Sequence, residues 1–286
     1  MPLTDPMLSI STFPPDELLK PYVSMYYSVS ATRPEISQII AASTRKTLSF
    51  QYGNPIRTSL GSAVRSMPEI AISGAITQPY LILPQDRQIT MFIVEFTDIG
   101  LYCLAGSPTD QLTDVLVDAL RVLPEATHPD MMNALHEISA DDRRVDLLNQ
   151  ALLQIVPEPS VLDAIHPIMP GIRELHQTQG AVSIQDLVAG LNVSERHFRR
   201  QFREVTGLSA KAFAKVLRFN VALEMLWSID DPAELFSAIS DGAQAQYSDQ
   251  AHFILEFNSY TGYSPGALPL ERFRLFRALS QLDRQA

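Results

Sequence analysis

The stretch SIQDLVAGLNVSERHFRRQFREVTGLSAKAFAKVLRFNVALEML, residues 183–226, decides how the back half of the chain is read. Ser183 precedes Ile184, Leu187, Val188 and Leu191, an i, i+3, i+4, i+7 series that predicts a short amphipathic helix with the serine as its cap. Asn192-Val193 interrupts the series, and an asparagine there predicts a tight turn through the left-handed region. Ser194 caps a second helix, with Glu195 at its positive end. At roughly 100° per residue, Phe198, Phe202 and Val205 fall within about 60° of one another. On the same count Arg196, Arg199, Arg200 and Arg203 spread over about 100° on the opposite side. Gly207 stands where a C′ glycine ends a helix. A short helix, a tight turn and a second helix with an apolar back and a cationic front make a helix-turn-helix.

The residue types suit the groove of a duplex. An arginine fork bonds guanine O6 and N7 together, and it also meets phosphates. Ser194 lies at the helix start, where a backbone N–H can meet a phosphate, and His197 sits on the helix flank facing solvent or phosphate. The four arginines are read as having no acid partner four residues away on their face. The competing reading is a helical hairpin with a charged surface.

At 286 residues, 46% hydrophobic and 19% charged, the chain is globular and long enough for two domains. No run approaches the ~18 apolar residues of a membrane span. The opening MPLTDPMLSI has no basic segment followed by an apolar stretch, so no secretory leader is expected. The single cysteine, Cys103, forms no internal disulfide and fits a reducing cytoplasm. Flanked by Leu101, Tyr102 and Leu104, it reads as a small buried apolar residue rather than a redox sensor. The net charge of −10 counts against nucleic acid, but its distribution does not. Residues 1–159 carry 10 basic and 18 acidic side chains, whereas residues 194–218 hold seven basic against two acidic. Screening over about 8 Å makes that local stripe matter more than the total.

The front half alternates with period two. YVSMYYSV (22–29) places Val23, Met25, Tyr27 and Val29 on one side, TLSFQY (47–52) alternates similarly, and EIAISGAI (69–76) groups Ile70, Ile72 and Ile76. ITMFIVEF (89–96) is apolar on both faces and predicts a strand covered on both. Pro and Gly between these runs suggest a sandwich or barrel. After Gly106, the residues Leu112, Val115, Leu116, Ala119 and Leu120 predict a helix with Thr109 or Asp110 at its cap. Val145, Leu148, Leu152 and Ile155 make a further stripe, able to close the front domain's core or to pair with a second copy.

Residues 183–226 resemble the first half of an AraC/XylS-type DNA-binding domain, with Lys211 to Trp227 as the helix linking two helix-turn-helix units. YSDQAHFILEFNSYTGYSP (247–265) is similar to the family's second half, and the resemblance spans roughly residues 161–268. Departures are Ala210 in place of a proline, Gln246 in place of a turn glycine, and Asp241-Gly242 within FSAISDGAQAQ (236–246). Leu255 and Asn258, with Glu256 between, stand where the family often has basic residues, so Gln250 and His252 are left to touch bases or phosphates. Each lost phosphate contact weakens binding and its salt slope, so the first unit should dominate affinity and the second should read little sequence.

Pro21-Tyr22-Val23, Tyr26-Tyr27, Gly74 and the start of SPTDQLTDV are similar to the cupin-like sensor domains of some AraC-type regulators. The resemblance implies an α+β multidomain chain. A cupin-like β-barrel or sandwich would span 1–108, a helical dimerisation and linker segment 109–158, and an all-α domain of two helix-turn-helix units with a C-terminal helix 159–286. It further implies a cytoplasmic bacterial transcription activator, a homodimer on double-stranded DNA that meets RNA polymerase and receives a small-molecule or protein signal. No histidine lies in residues 1–127, so the front half lacks the imidazoles of a metal-binding cupin. The residues show no HExxH, P-loop or GxSxG, so no catalytic residue, metal or cofactor is expected. An interaction module with weak or lost DNA binding is the alternative.

Overall fold

The computed structural model describes residues 8–32, 37–52, 55–60, 63–83, 88–123, 129–228 and 250–282. Period-two patterning in the front half becomes ten strands: β1 (Leu8–Phe13), β2 (Val23–Thr32), β3 (Gln38–Ile40), β4 (Lys46–Tyr52), β5 (Arg57–Leu60), β6 (Ala63–Ser66), β7 (Ile70–Ser73), β8 (Tyr80–Leu83), β9 (Gln88–Phe96) and β10 (Leu116–Asp118). They form a six-stranded sheet, β1-β2-β9-β4-β7-β10, and a four-stranded sheet, β3-β8-β5-β6, with antiparallel pairing throughout. Helices follow the sheets, so the fold is α+β.

The larger sheet is covered on both faces, as the doubly apolar β9 requires. Phe92, Val94 and Phe96 join the core that runs into the helices. Ile89, Met91 and Ile93 join Ile56, Met67 and Ile82 in a second cluster between the sheets. In β2 the alternation slips: a bulge between Val23 and Met25 sends Val23 to the helix side, while Tyr27 and Val29 stay between the sheets. Ile70 and Ile72 face the helices together, but the strand ends at Ser73 and Ile76 instead lines the space between the sheets.

The helix expected after Gly106 does not form. A short helix α1 (Gly100–Ala105) precedes that glycine, and Asp110–Leu112 is one 3-10 turn. The chain then pairs as β10 with β7, Val117 opposite Ile72, so the sheet extends past the expected boundary at 108. Its apolar spacing serves packing between β7 and the back half, a non-local demand that helical periodicity cannot reveal. Gly74 permits this passage, since a Cβ there would lie 2.2 Å from the Leu112 carbonyl oxygen.

Helices α2 (Pro129–Glu137) and α3 (Asp141–Leu153) bury their stripes on the larger sheet. Leu135, Leu148 and Leu152 are almost fully buried, and the Tyr26 hydroxyl donates to Asn149 Oδ1 at 2.7 Å. Of the two uses open to the α3 stripe, it closes this chain's own core. The back half comprises α4 (Pro159–Ile165), α5 (Met169–Gln177), α6 (Ile184–Ala189), α7 (Glu195–Thr206), α8 (Ala210–Ser228), α9 (Gln250–Thr261) and α10 (Arg274–Leu282). The stretch 236–246 lies outside the described residues. The C-terminal helix packs on the smaller sheet: Leu275 enters the inter-sheet cluster with Leu279 and Leu282 against it, and Arg45 Nη2 donates to the Leu279 carbonyl at 3.1 Å.

Candidate nucleic-acid interface

Caps and packing set α6 and α7. Ser183 Oγ accepts the Asp186 N–H at 3.0 Å, and Leu187 and Val188 are buried. The turn differs from expectation. Asn192 is not left-handed: among the described residues only Asp114 and Gln179 combine a side chain with positive φ. Here α6 stops at Ala189, with Gly190 at φ −80°, and Leu191–Val193 carry the reversal. Ser194 Oγ accepts the His197 N–H at 3.3 Å. Phe198, Phe202 and Val205 are completely buried, Phe202 edge-on to Phe213 of α8 with centroids 5.5 Å apart. Gly207 ends the helix at φ 85°, a conformation costly for any residue with a Cβ.

The opposite face carries Arg196, Arg199, Arg200 and Arg203, all exposed, with exposed Ser194 beside them. The expectation that no acid stands four residues away is wrong. Arg199 meets Glu195 at 2.6 Å, and Arg200 lies 3.9 Å from Glu204. Arg203 lies 3.4 Å from Asp110 of the front half. These side chains stay 63–69% exposed, and such solvated pairs are worth about 1 kcal/mol or less. They do not bind the guanidinium groups away from a duplex. His197 is half-buried, its Nε2 3.1 Å from Gln201 Oε1, while Gln201 Nε2 donates to the Ala164 carbonyl at 2.6 Å. Two other cations of the basic stretch are structural: Lys215 Nζ donates to Glu256 at 2.6 Å, and Arg218 donates to the Gly180 carbonyl at 2.6 Å.

In α9, Gln250 and His252 are exposed, and α8 together with residues 229–249 separates them from α7 in sequence. Glu256, which the sequence places between Leu255 and Asn258, turns inward to Lys215 and is buried. The acid that seemed to oppose phosphate contact is therefore absent from the outer face.

A second feature escaped sequence reading. Thr109 donates through its N–H to the Glu204 carbonyl at 2.7 Å and through Oγ1 to that of Val205 at 2.9 Å. Thr113 Oγ1 donates to the Gly207 carbonyl at 2.6 Å. These bonds satisfy the carbonyls that the end of any helix leaves open. The same loop is fixed to the sheet by Asp114, whose N–H donates to the Ala75 carbonyl and whose Oδ1 accepts the Thr77 N–H at 2.6 Å. No local signal marks Thr109 or Thr113, because their partners lie about 95 residues away.

Below this junction Asp98 accepts from His176 at 2.7 Å, and the buried Lys46 ammonium donates to the Asp98 carbonyl at 3.0 Å. Burial lowers the His176 pKa, but the bond and charge of Asp98 outweigh it and leave a net rise. Burial raises the Asp98 pKa, and His176 and Lys46 reverse the direction to a net fall. Cys103 is buried and its thiol is pushed up to about 11 by desolvation, as fits a packing residue. Among the described residues no three His, Cys, Asp or Glu side chains gather to hold a metal ion, and no helix is long and apolar enough to cross a membrane.

A short capped helix, a tight turn and a phenylalanine-anchored second helix with an exposed arginine face define the class of this region, a helix-turn-helix. Residues 187–269 match the family model described as helix-turn-helix domain, and residues 11–118 match a domain of unknown function, DUF6597. The C-terminal region, residues 187–269, is therefore an AraC-type helix-turn-helix domain. No curated protein matches the chain. Among solved structures, it is similar to ToxT from Vibrio cholerae at 10% identity and a TM-score of 0.46, covering 94% of this chain and 99% of that one. A structure of ToxT from Vibrio cholerae O395 gives 12% identity and 0.43, covering 90% and 96%. An unsaturated fatty acid bound ToxT from Vibrio cholerae strain SCE256 gives 9% and 0.42, covering 93% and 95%.

Proposed function

We propose that the chain is a DNA-binding transcription regulator that binds promoters chiefly through α7, with Ser194, Arg196, Arg199, Arg200 and Arg203 at the duplex and His197 on the flank. The observation that supports this reading most is the pairing of completely buried Phe198 and Phe202 with the outward arginines on one capped helix. Gln250 and His252 of α9 reach an adjacent groove and add less affinity, because α9 carries no Lys or Arg. Residues 8–118, the two sheets, serve as the sensor domain and 159–286 as the DNA-binding domain. Segment 119–158, whose helices α2 and α3 close the sensor's core, joins the two and offers outer faces to a second copy in a homodimer. RNA polymerase is the partner on the promoter, and the site of action is the cytoplasm.

A small-molecule effector is part of this reading. The two sheets enclose a cavity of about 80 Å³, lined in part by Tyr27, Ile40, Met91 and Ile93, with Leu275 and Leu279 of α10 at its wall.

The lack of any Lys or Arg on α9 favours a second reading, a regulator-derived interaction module with weak or lost DNA binding. Sequencing the genomic duplex fragments retained by the purified full chain separates the two. The regulator reading expects a recurrent motif among the fragments. Recovery of none above background leaves the interaction module.

A further inference from the structure

We infer that α9 selects A·T-rich sequence by apolar contact with thymine methyl groups, through Leu255 and Ile254. This deepens the proposed function and rests on its reading of the chain as a DNA binder. Leu255 is 71% exposed and Ile254 36%, among the few large apolar side chains of the described residues that face solvent. Phe253, Phe257 and Tyr260 hold the other side of the helix to the body. At roughly 100° per residue, Ala251, Ile254, Leu255 and Asn258 share the centre of the outer face. The only acid of α9, Glu256, is buried against Lys215, so no acid of this helix opposes a duplex on its outer face.

The chemistry of the major groove then limits what this face can recognise. The thymine C5-methyl is the one apolar group that base edges present there, and asparagine or glutamine pairs with adenine N6 and N7. Leu255, Ile254 and Ala251 complement the first, and Asn258 and Gln250 complement the second. α7 presents arginine forks suited to guanine. The site for this protein is therefore composite, guanine-bearing under α7 and A·T-rich under α9, about one helical turn apart. The second unit thus supplies selectivity while the first supplies most of the affinity.

The test begins with selection of a high-affinity duplex from a randomised pool by the full chain. Each thymine is then replaced by deoxyuridine, which removes the methyl group and keeps every hydrogen bond. Wild type should lose roughly threefold to fivefold in affinity per contacted thymine, with the salt slope unchanged. Leu255→Ala, at an exposed position that folding does not depend on, should abolish sensitivity to at least one of these replacements. Uracil-tolerant binding by wild type overturns the inference and leaves the proposed function standing. So does a Leu255→Ala protein that keeps the wild-type sensitivity, and the face then belongs to a protein partner. Failure to select any duplex removes the proposed function and this inference together.

Discussion

Arg199 and His252 stand at the outer faces of two helices with different chemistry around them. Arg199 shares its face with three more arginines, whereas His252 neighbours Ala251, Ile254 and Leu255. In a duplex titration Arg199→Ala should therefore lose affinity several-fold more than His252→Ala; equal losses would end the ranking of the two units. Asp110 makes the opposite prediction. Its carboxylate holds Arg203 and sets a negative charge beside the α7 face. Asp110→Asn should tighten duplex binding by up to about fivefold, the worth of one solvated ion pair, since that carboxylate no longer competes with phosphate for Arg203. Unchanged affinity would show that Arg203 lies off the DNA.

Among elements, α7 was the most legible, because its caps, its apolar back and its terminal glycine are all local signals. Phe202→Ala should cost about 3–5 kcal/mol in chemical unfolding, the usual range for a buried phenylalanine. Gly207→Ala should cost about 1 kcal/mol or more, given φ 85° and Thr113 Oγ1 only 3.2 Å from the added Cβ. Unfolding midpoints matching wild type would refute both. The stretch 109–120 misled for the converse reason: its apolar spacing fits a helix, yet pairing of Leu116–Asp118 with β7 and docking of Thr109 on α7 are settled by distant partners. The β2 bulge likewise moved Val23 to the other face without a sequence mark. The acid partners of Arg199 and Arg200, by contrast, were legible as i, i+4 spacing and were misread.

Across the whole molecule, one continuous core runs from Tyr26 and Phe92 of the larger sheet to Phe202 and Phe219 of the back half. The His176–Asp98 bond crosses the same junction. Because the folded pKa of His176 is raised, its contribution is full below the unfolded value of about 6.5 and is lost as pH rises through the folded one. Thermal unfolding should therefore show wild type losing stability relative to His176→Gln as pH increases above about 6.5. A constant difference across that window would remove the junction's pH dependence.

The central claim is that the arginine face of α7 meets phosphate and base. The most direct measurement is the salt dependence of duplex affinity for the full chain beside a variant with Arg196, Arg199, Arg200 and Arg203 all changed to alanine. The account predicts a wild-type log–log slope of roughly −3 or steeper that flattens by about 3 in the variant. A variant that keeps the wild-type slope and affinity would contradict it.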